Sequence, residues 1–172
     1  MYKYKILIAG NSGVGKTTLV HRYLKGKFRE DFKRTLGVNI LIKKGITIKE
    51  KEIKLSIWDL GGEERFRQML RGYSKNTDGV LFLFDLADIN TLNEIGEWVS
   101  LIRKDSPNVK ILLVGAKSDI SVRTEGDLKM IEIMKSHYNL FDYIETSSKL
   151  GKNVDKCFKI LAREIFDQIK LI

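Results

Sequence analysis

The 172-residue chain has one cysteine, one proline, two histidines and no long apolar run. One cysteine cannot close an internal disulfide, so the fold must stand on its core, and a reducing, cytoplasmic setting is expected. The longest continuous apolar stretches, residues 80–84 and 111–114, fall far short of the ~20 residues a membrane-spanning helix needs. Residues 6–9, behind Lys3 and Lys5, are too few for a signal-peptide core. Position 2 is Tyr, not Gly, and no cysteine lies near Ile172, so neither a myristoylation nor a prenylation motif is present, unless a lipidated tail has been truncated. No repeat, low-complexity segment or interdomain linker is visible, and residues 1–172 are expected to form one domain and a monomer. A 43% hydrophobic share argues against disorder. The chain is basic, with 31 Lys+Arg against 22 Asp+Glu and a formal charge of +9. Such an excess fits nucleic acid, an anionic membrane, an acidic partner or simple solubility.

Strand-like and helix-like stretches alternate. Residues 4–9, 80–84, 109–114 and 141–145 read as strands, two of them continuous apolar runs of the kind parallel sheets bury on both faces. Leu92, Ile95, Val99 and Ile102 recur at helical spacing, as do Leu128, Ile131, Met134 and Tyr138, and Val154, Phe158, Leu161 and Ile165. The pattern predicts a three-layer α/β domain. Residues 38–48 and 53–58 break the rhythm: both are strand-like, with Lys49-Glu50-Lys51-Glu52 as a solvated tip, and predict an antiparallel hairpin at one sheet edge.

Gly10-Asn11-Ser12-Gly13-Val14-Gly15-Lys16-Thr17 fits G-x-x-x-x-G-K-S/T between a strand and a helix. Glycines let such a loop wrap its N–H groups around an anion, and the following helix N-terminus adds a favourable dipole. Lys16 would reach β- and γ-phosphates, and the Thr17 hydroxyl would bind Mg²⁺. A bare glycine-rich turn explains neither Lys16 nor the spacing. The loop indicates a nucleoside triphosphate without naming the base. Ser56-Ile57-Trp58-Asp59-Leu60-Gly61-Gly62 ends a strand with an acid that can hold Mg²⁺ and a glycine whose N–H can meet a γ-phosphate. Gly115-Ala116-Lys117-Ser118-Asp119 follows another strand. Asp119 could accept from guanine N1–H and the 2-amino group, a donor pair adenine lacks. Glu145-Thr146-Ser147-Ser148-Lys149 follows the last strand, where its N–H groups could meet guanine O6.

These motifs occur in the order and spacing of Ras-superfamily small GTPases, and the chain most resembles the Rab branch over residues 4–166. The resemblance implies a P-loop G domain with a mostly parallel six-stranded sheet, one antiparallel edge strand and about five helices. It implies switch I at about 26–38 and switch II at about 60–75. Thr35 matches the switch I threonine that ligates Mg²⁺ together with Thr17 and Asp59, and Phe28 the aromatic against the guanine. Nucleotide contacts carry over to Ser12, Gly13, Val14, Gly15, Lys16, Thr17, Thr18, Phe28, Thr35, Gly62, Lys117, Asp119, Ser147, Ser148 and Lys149. Catalytic roles fall to Lys16, Thr35, Gly62 and position 63. The implied reaction is GTP + water → GDP + phosphate. Hydrolysis releases switches held by the γ-phosphate and Mg²⁺, and effectors and regulators bind at those switches.

The chain departs from the family pattern at several places. Glu63 stands where the family usually has Gln, and a carboxylate can accept but not donate. Either Glu63 still orients or deprotonates the attacking water, or hydrolysis is impaired; retained, slow activity is the expectation. Ala116 replaces the usual Asn, predicting weaker nucleotide binding with guanine preference kept by Asp119. Arg34 precedes Thr35 where Pro is common, and reads as a solvated arginine rather than a cis arginine finger. His21 and His137 read as ordinary helix residues, Cys157 as a core thiol and Trp98 as packing. The rival readings are a GTP-binding scaffold without hydrolysis, a small P-loop kinase, for which no Arg-rich lid is visible, and a nucleic-acid binder, for which no basic–aromatic face is visible. The charge has a location: residues 1–72 hold 17 basic and 7 acidic residues, and residues 73–172 hold 14 and 15. The excess surrounds the expected switch face, which points to an acidic partner or weak contact with an anionic membrane.

Overall fold

The computed structural model describes residues 1–169; the tail at 170–172, on which the lipidation expectation bears, lies outside the described residues. Six strands, β1 (Tyr2–Ala9), β2 (Val38–Ile48), β3 (Lys51–Leu60), β4 (Gly79–Asp85), β5 (Lys110–Ala116) and β6 (Asp142–Glu145), form one sheet in the order β2-β3-β1-β4-β5-β6. The β2–β3 pair is antiparallel and the other four pairings are parallel. Helices α1 (Lys16–Lys25), α4 (Ile95–Asp105), α5 (Glu125–His137) and α6 (Val154–Ile169) supply the outer layers. Two one-turn helices, α2 (Glu64–Arg67) and α3 (Leu70–Tyr73), lie in the segment between β3 and β4 and bring the α-helices to six among the described residues.

The pleat sorts the apolar runs. Along β4, Leu81 and Leu83 pack in the cluster that holds Phe158 and Leu161 of α6, while Val80, Phe82 and Phe84 pack with Trp98 of α4 and Ile131 of α5. Both faces are covered, which is why an unbroken run of apolar residues can serve as a strand. The α1 and α6 layer is locked by the parallel rings of Tyr23 and Phe158, 3.9 Å apart at 6°. Cys157 is fully buried there, and burial pushes its thiol well up, so it is inert core. Trp98 is also fully buried.

Three local expectations change. The hairpin tip is Lys49-Glu50 alone, because both residues take left-handed backbone (φ 46° and 64°) and the ladder closes at Ile48 and Lys51. Such a two-residue turn matches the strand twist and draws Lys51 and Glu52 into β3. Leu92 ends a 3₁₀ turn (Ile89–Leu92) rather than opening a helix, since the Asp88 side chain accepts from the Asn90 N–H and α4 starts at Ile95. Leu128 shares the α5 period yet is 48% exposed, while Ile131 carries the burial.

Because β1, β3, β4, β5 and β6 run parallel, the loops after Ala9, Leu60, Asp85, Ala116 and Glu145 all leave the same edge of the sheet. In open α/β sheets that edge is where ligands bind.

Candidate nucleotide-binding site

A trough runs along this edge in two connected lobes. One, of about 350 Å³, is lined by Ser12, Gly13, Gly15, Lys16, Thr17 and Thr18, by Arg34 and Thr35, and by Leu60 and Gly62. The other, of about 280 Å³, is lined by Phe28, Ala116, Lys117, Asp119, Ser148 and Lys149. Gly13, Thr18 and Glu30 line both.

The first lobe is built for a polyanion. Gly10 enters the loop at φ 135°, and a Cβ there would sit 2.2 Å from the Leu83 carbonyl oxygen, so only glycine lets β1 turn this tightly against β4. The Lys16 amine is 6% exposed as a residue and donates to the carbonyls of Gly10 and Asn11 at 2.7 and 2.8 Å. It forms no ion pair among the described residues. Burial lowers it to about 8, with the Asp59 charge opposing and Arg67 adding to the effect. Gly62 abuts the same loop: a Cβ would meet the Ser12 nitrogen at 2.3 Å and the Lys16 amine at 2.6 Å. Val14 is fully buried in the core, so only its backbone can face a ligand.

The three expected metal ligands converge. The Thr17 hydroxyl donates to Asp59 Oδ2 at 2.6 Å and lies 2.8 Å from the Thr35 hydroxyl. Asp59 is fully buried, its second oxygen Oδ1 has no partner among the described residues, and burial raises its carboxyl above the usual range against the pull of Thr17, Lys16 and Thr35. An orphaned buried carboxylate oxygen beside two hydroxyls is a hard-oxygen donor set, and it fits Mg²⁺, which favours one or two protein oxygens plus substrate phosphates.

In the second lobe the Ser147 hydroxyl donates to Asp119 Oδ1 at 2.6 Å, which fixes the carboxylate. Ser147 itself is buried and does not line the trough. Lys117 has a left-handed backbone (φ 63°) and donates to the Gly13 carbonyl at 3.0 Å and to Asp85 at 2.6 Å, tying the base lobe to the phosphate loop. Asp85 was not singled out by sequence; its signal is its place directly after the apolar run of β4. Ala116 is buried, and the buried hydroxyls of Ser118 and Thr146 have no partners among the described residues. Thr146 is hydrogen-bonded through its backbone to Gly115 and Ser118, on either side of Ala116-Lys117.

Glu63 does not line the trough. Its carboxylate accepts from Arg65 Nε at 2.8 Å and lies 3.7 Å from Arg34 Nη1, so it is held by one arginine from the segment after β3 and one from the loop between α1 and β2. Arg34 is largely exposed, as a solvated arginine would be. Arg67, unmarked by sequence reasoning, is a buried guanidinium paired with Glu94 and Glu97 and seated over the Trp98 ring. Trp98 in turn donates to the Asn11 side chain at 3.4 Å, which links the segment after β3 to the phosphate loop through α4.

The low value at Lys16 generates a proton-linkage test. A polyphosphate favours the charged amine, so GDP binding near pH 8 takes up a fraction of a proton at Lys16, and at pH 6.5 this uptake vanishes because the amine is already charged. Calorimetry in buffers of different ionisation enthalpy reads it directly; equal proton uptake at both pH values would contradict the assignment.

The comparisons agree with this geometry. The Ras family model matches residues 5–167. Ras-related protein Rab-4A of Bos taurus is 34% identical over 171 residues, covering 98% of this chain and 77% of that protein. Rab-4B of Homo sapiens is 32% identical over 98% of this chain and 78% of its own length, and Rab-4A of Danio rerio 33% over 98% and 79%. A family model matched over residues 5–167, together with relatives 32–34% identical over 98% of the chain, shows that the chain belongs to the Ras family as a Rab-like, GTP-binding switch GTPase.

Proposed function

We propose that this GTPase works as a slow switch in which residues 26–38 and 60–75 report the presence of the γ-phosphate. The observation that carries it is the placement of Thr35 within 2.8 Å of Thr17, itself bonded to Asp59: one segment from each side of the phosphate lobe meets at a single point. Mg²⁺ bound at these three oxygens would neutralise charge on the phosphates. Thr35 would hold switch I through that point, and Gly62 would offer its N–H to the γ-phosphate because nothing larger fits against Ser12. Lys16 would stay charged against the phosphates. Ser12, Gly13, Val14, Gly15, Thr17 and Thr18 would cradle them. Phe28, Lys117, Asp119, Ser147, Ser148 and Lys149 would hold the guanine, with Asp119 choosing it over adenine.

Glu63 sets the rate. To orient water it must leave Arg65 and Arg34, so the ground-state pairs oppose catalysis and intrinsic hydrolysis is slow. The same pairing favours a second reading, a GTP-binding scaffold that turns over rarely. Acidic effector or regulatory proteins would read the switch face, where Lys33, Arg34, Lys43 and Lys44 lie beside exposed Leu36, Ile40 and Ile42.

Phosphate release from GTP and Mg²⁺ tests the proposal, with Glu63→Ala and Arg34→Ala beside the parent. Single-turnover hydrolysis should fall about a hundredfold or more in Glu63→Ala, a general-base-sized loss. Arg34→Ala should equal or exceed the parent, because it frees Glu63. An indifferent Glu63→Ala removes that residue from the mechanism. A separate outcome concerns Ala116: Ala116→Asn gives the orphaned hydroxyls a partner worth ~0.5–1.5 kcal/mol, so GDP should dissociate up to about tenfold more slowly. Stopped-flow release of a fluorescent GDP analogue measures it, and unchanged or faster release would contradict the account.

A further inference from the structure

At the pole opposite the nucleotide, the β2–β3 tip and the end of α6 come together. Lys49 of the tip donates to Asp167 of α6 at 2.5 Å. Between them lies a shallow groove of about 370 Å³, lined by Lys49, Lys156, Lys159, Arg163 and the half-buried Ile160. Lys156, Lys159 and Arg163 are spaced by three and four residues, so they form one row along about 10 Å of helix face. All three are exposed and make no ion pair among the described residues. Lys51 joins them, since it lies across from Ile48, a core residue on the α6 side of the pleat. The neighbouring acids do not neutralise the row. Asp167 is taken by Lys49 and Glu164 by Lys110, and Glu52 pairs across from Thr47 on the other face, which leaves Glu50 and Asp155 at the margins.

We propose that this groove and its basic row form a docking surface for an anionic membrane, engaging phosphate-bearing lipid headgroups. Charge complementarity is the first argument: the cations are spread over two elements as a shallow field, which suits a plane of distributed charge better than one compact anion. A second is the apolar rim at the same pole. Met1 and Ile169 are exposed, and Tyr2 is 37% exposed with its ring edge-on to Phe166 of α6, an arrangement suited to the membrane interface. A peptide partner is less well served, because the ladder of edge strand β2 is broken by a bulge between Lys43 and Ile46. The surface is remote from the switch segments, so it works in both nucleotide states and does not depend on the GTPase chemistry.

Cosedimentation at low salt tests it, using the full chain with phosphatidylcholine vesicles containing or lacking phosphatidylserine. The parent should bind only the anionic vesicles, and equally with GDP or a non-hydrolysable GTP analogue. The triple variant Lys156→Glu, Lys159→Glu, Arg163→Glu should lose about tenfold or more in partitioning while still binding GDP, and the Gln triple should lose less. Lys43→Glu with Lys44→Glu, on the switch-side strand, should retain it. Retention by the Glu triple would overturn the proposal. So would an equal loss in the Lys43/Lys44 variant, equal binding to neutral vesicles, or capture of a poly-glutamate peptide with no vesicle binding. If the Glu triple failed to fold, an unaffected Gln triple at raised salt sensitivity equal to the parent's would likewise overturn it.

Discussion

The structure depends on a buried cation that no ion pair holds among the described residues. Lys16 sits at the carboxyl edge of the sheet, nearly closed off from water, and its hydrogen bonds go to carbonyl oxygens of its own loop. Burial already lowers its proton affinity. A cation so placed is costly alone and strongly stabilised by a polyanion, so the loop stores an affinity for phosphate. The glycines follow from this. Gly10 lets the chain turn against Leu83, and Gly62 lets a second segment approach Lys16 within the width of one Cβ.

Around this cation the parallel sheet collects loops from distant parts of the chain. β3 ends at Leu60, one residue after Asp59, β4 at Asp85, β5 at Ala116 and β6 at Glu145, and the loops after them leave the sheet edge that carries the trough. Side-chain ties then join the loops. Thr17 reaches Asp59 and Thr35, Lys117 reaches Gly13 and Asp85, and Ser147 reaches Asp119. Arg67 gives the segment after β3 an anchor at the start of α4 through Glu94 and Glu97, while Glu63 close to it is held between two arginines. A switch needs both: a fixed point that transmits force and a contact weak enough to be exchanged when the phosphate is lost.

Much of this was legible in the residues because the chemistry demands identities. Only glycine tolerates the close approaches of the phosphate loop, only a lysine and a hydroxyl supply its cation and metal oxygen, and unbroken apolar runs betray strands covered on both faces. Other features lacked any such signature. The one-turn helices α2 and α3 are shorter than a helical period can reveal. The two-residue tip at Lys49-Glu50 uses left-handed residues other than glycine or asparagine, so it looks like plain charged sequence. Ser147 reads as an N–H donor to the base, yet its side chain is what fixes Asp119. Arg67 and Glu63 are both charged residues of one short segment, and nothing in their spacing tells that one is buried against Trp98 and the other held at the surface.

The central claim is that the trough is shaped for a guanine nucleotide through Lys16 at one end and Asp119 at the other. Chromatographic identification of the nucleotide released on denaturing the freshly purified protein tests it most directly. The account predicts guanine nucleotide in about equimolar amount, lost when Lys16 is replaced by Ala. Protein that carries adenine nucleotide, or that binds GTP and ATP equally when stripped and reloaded, would contradict it.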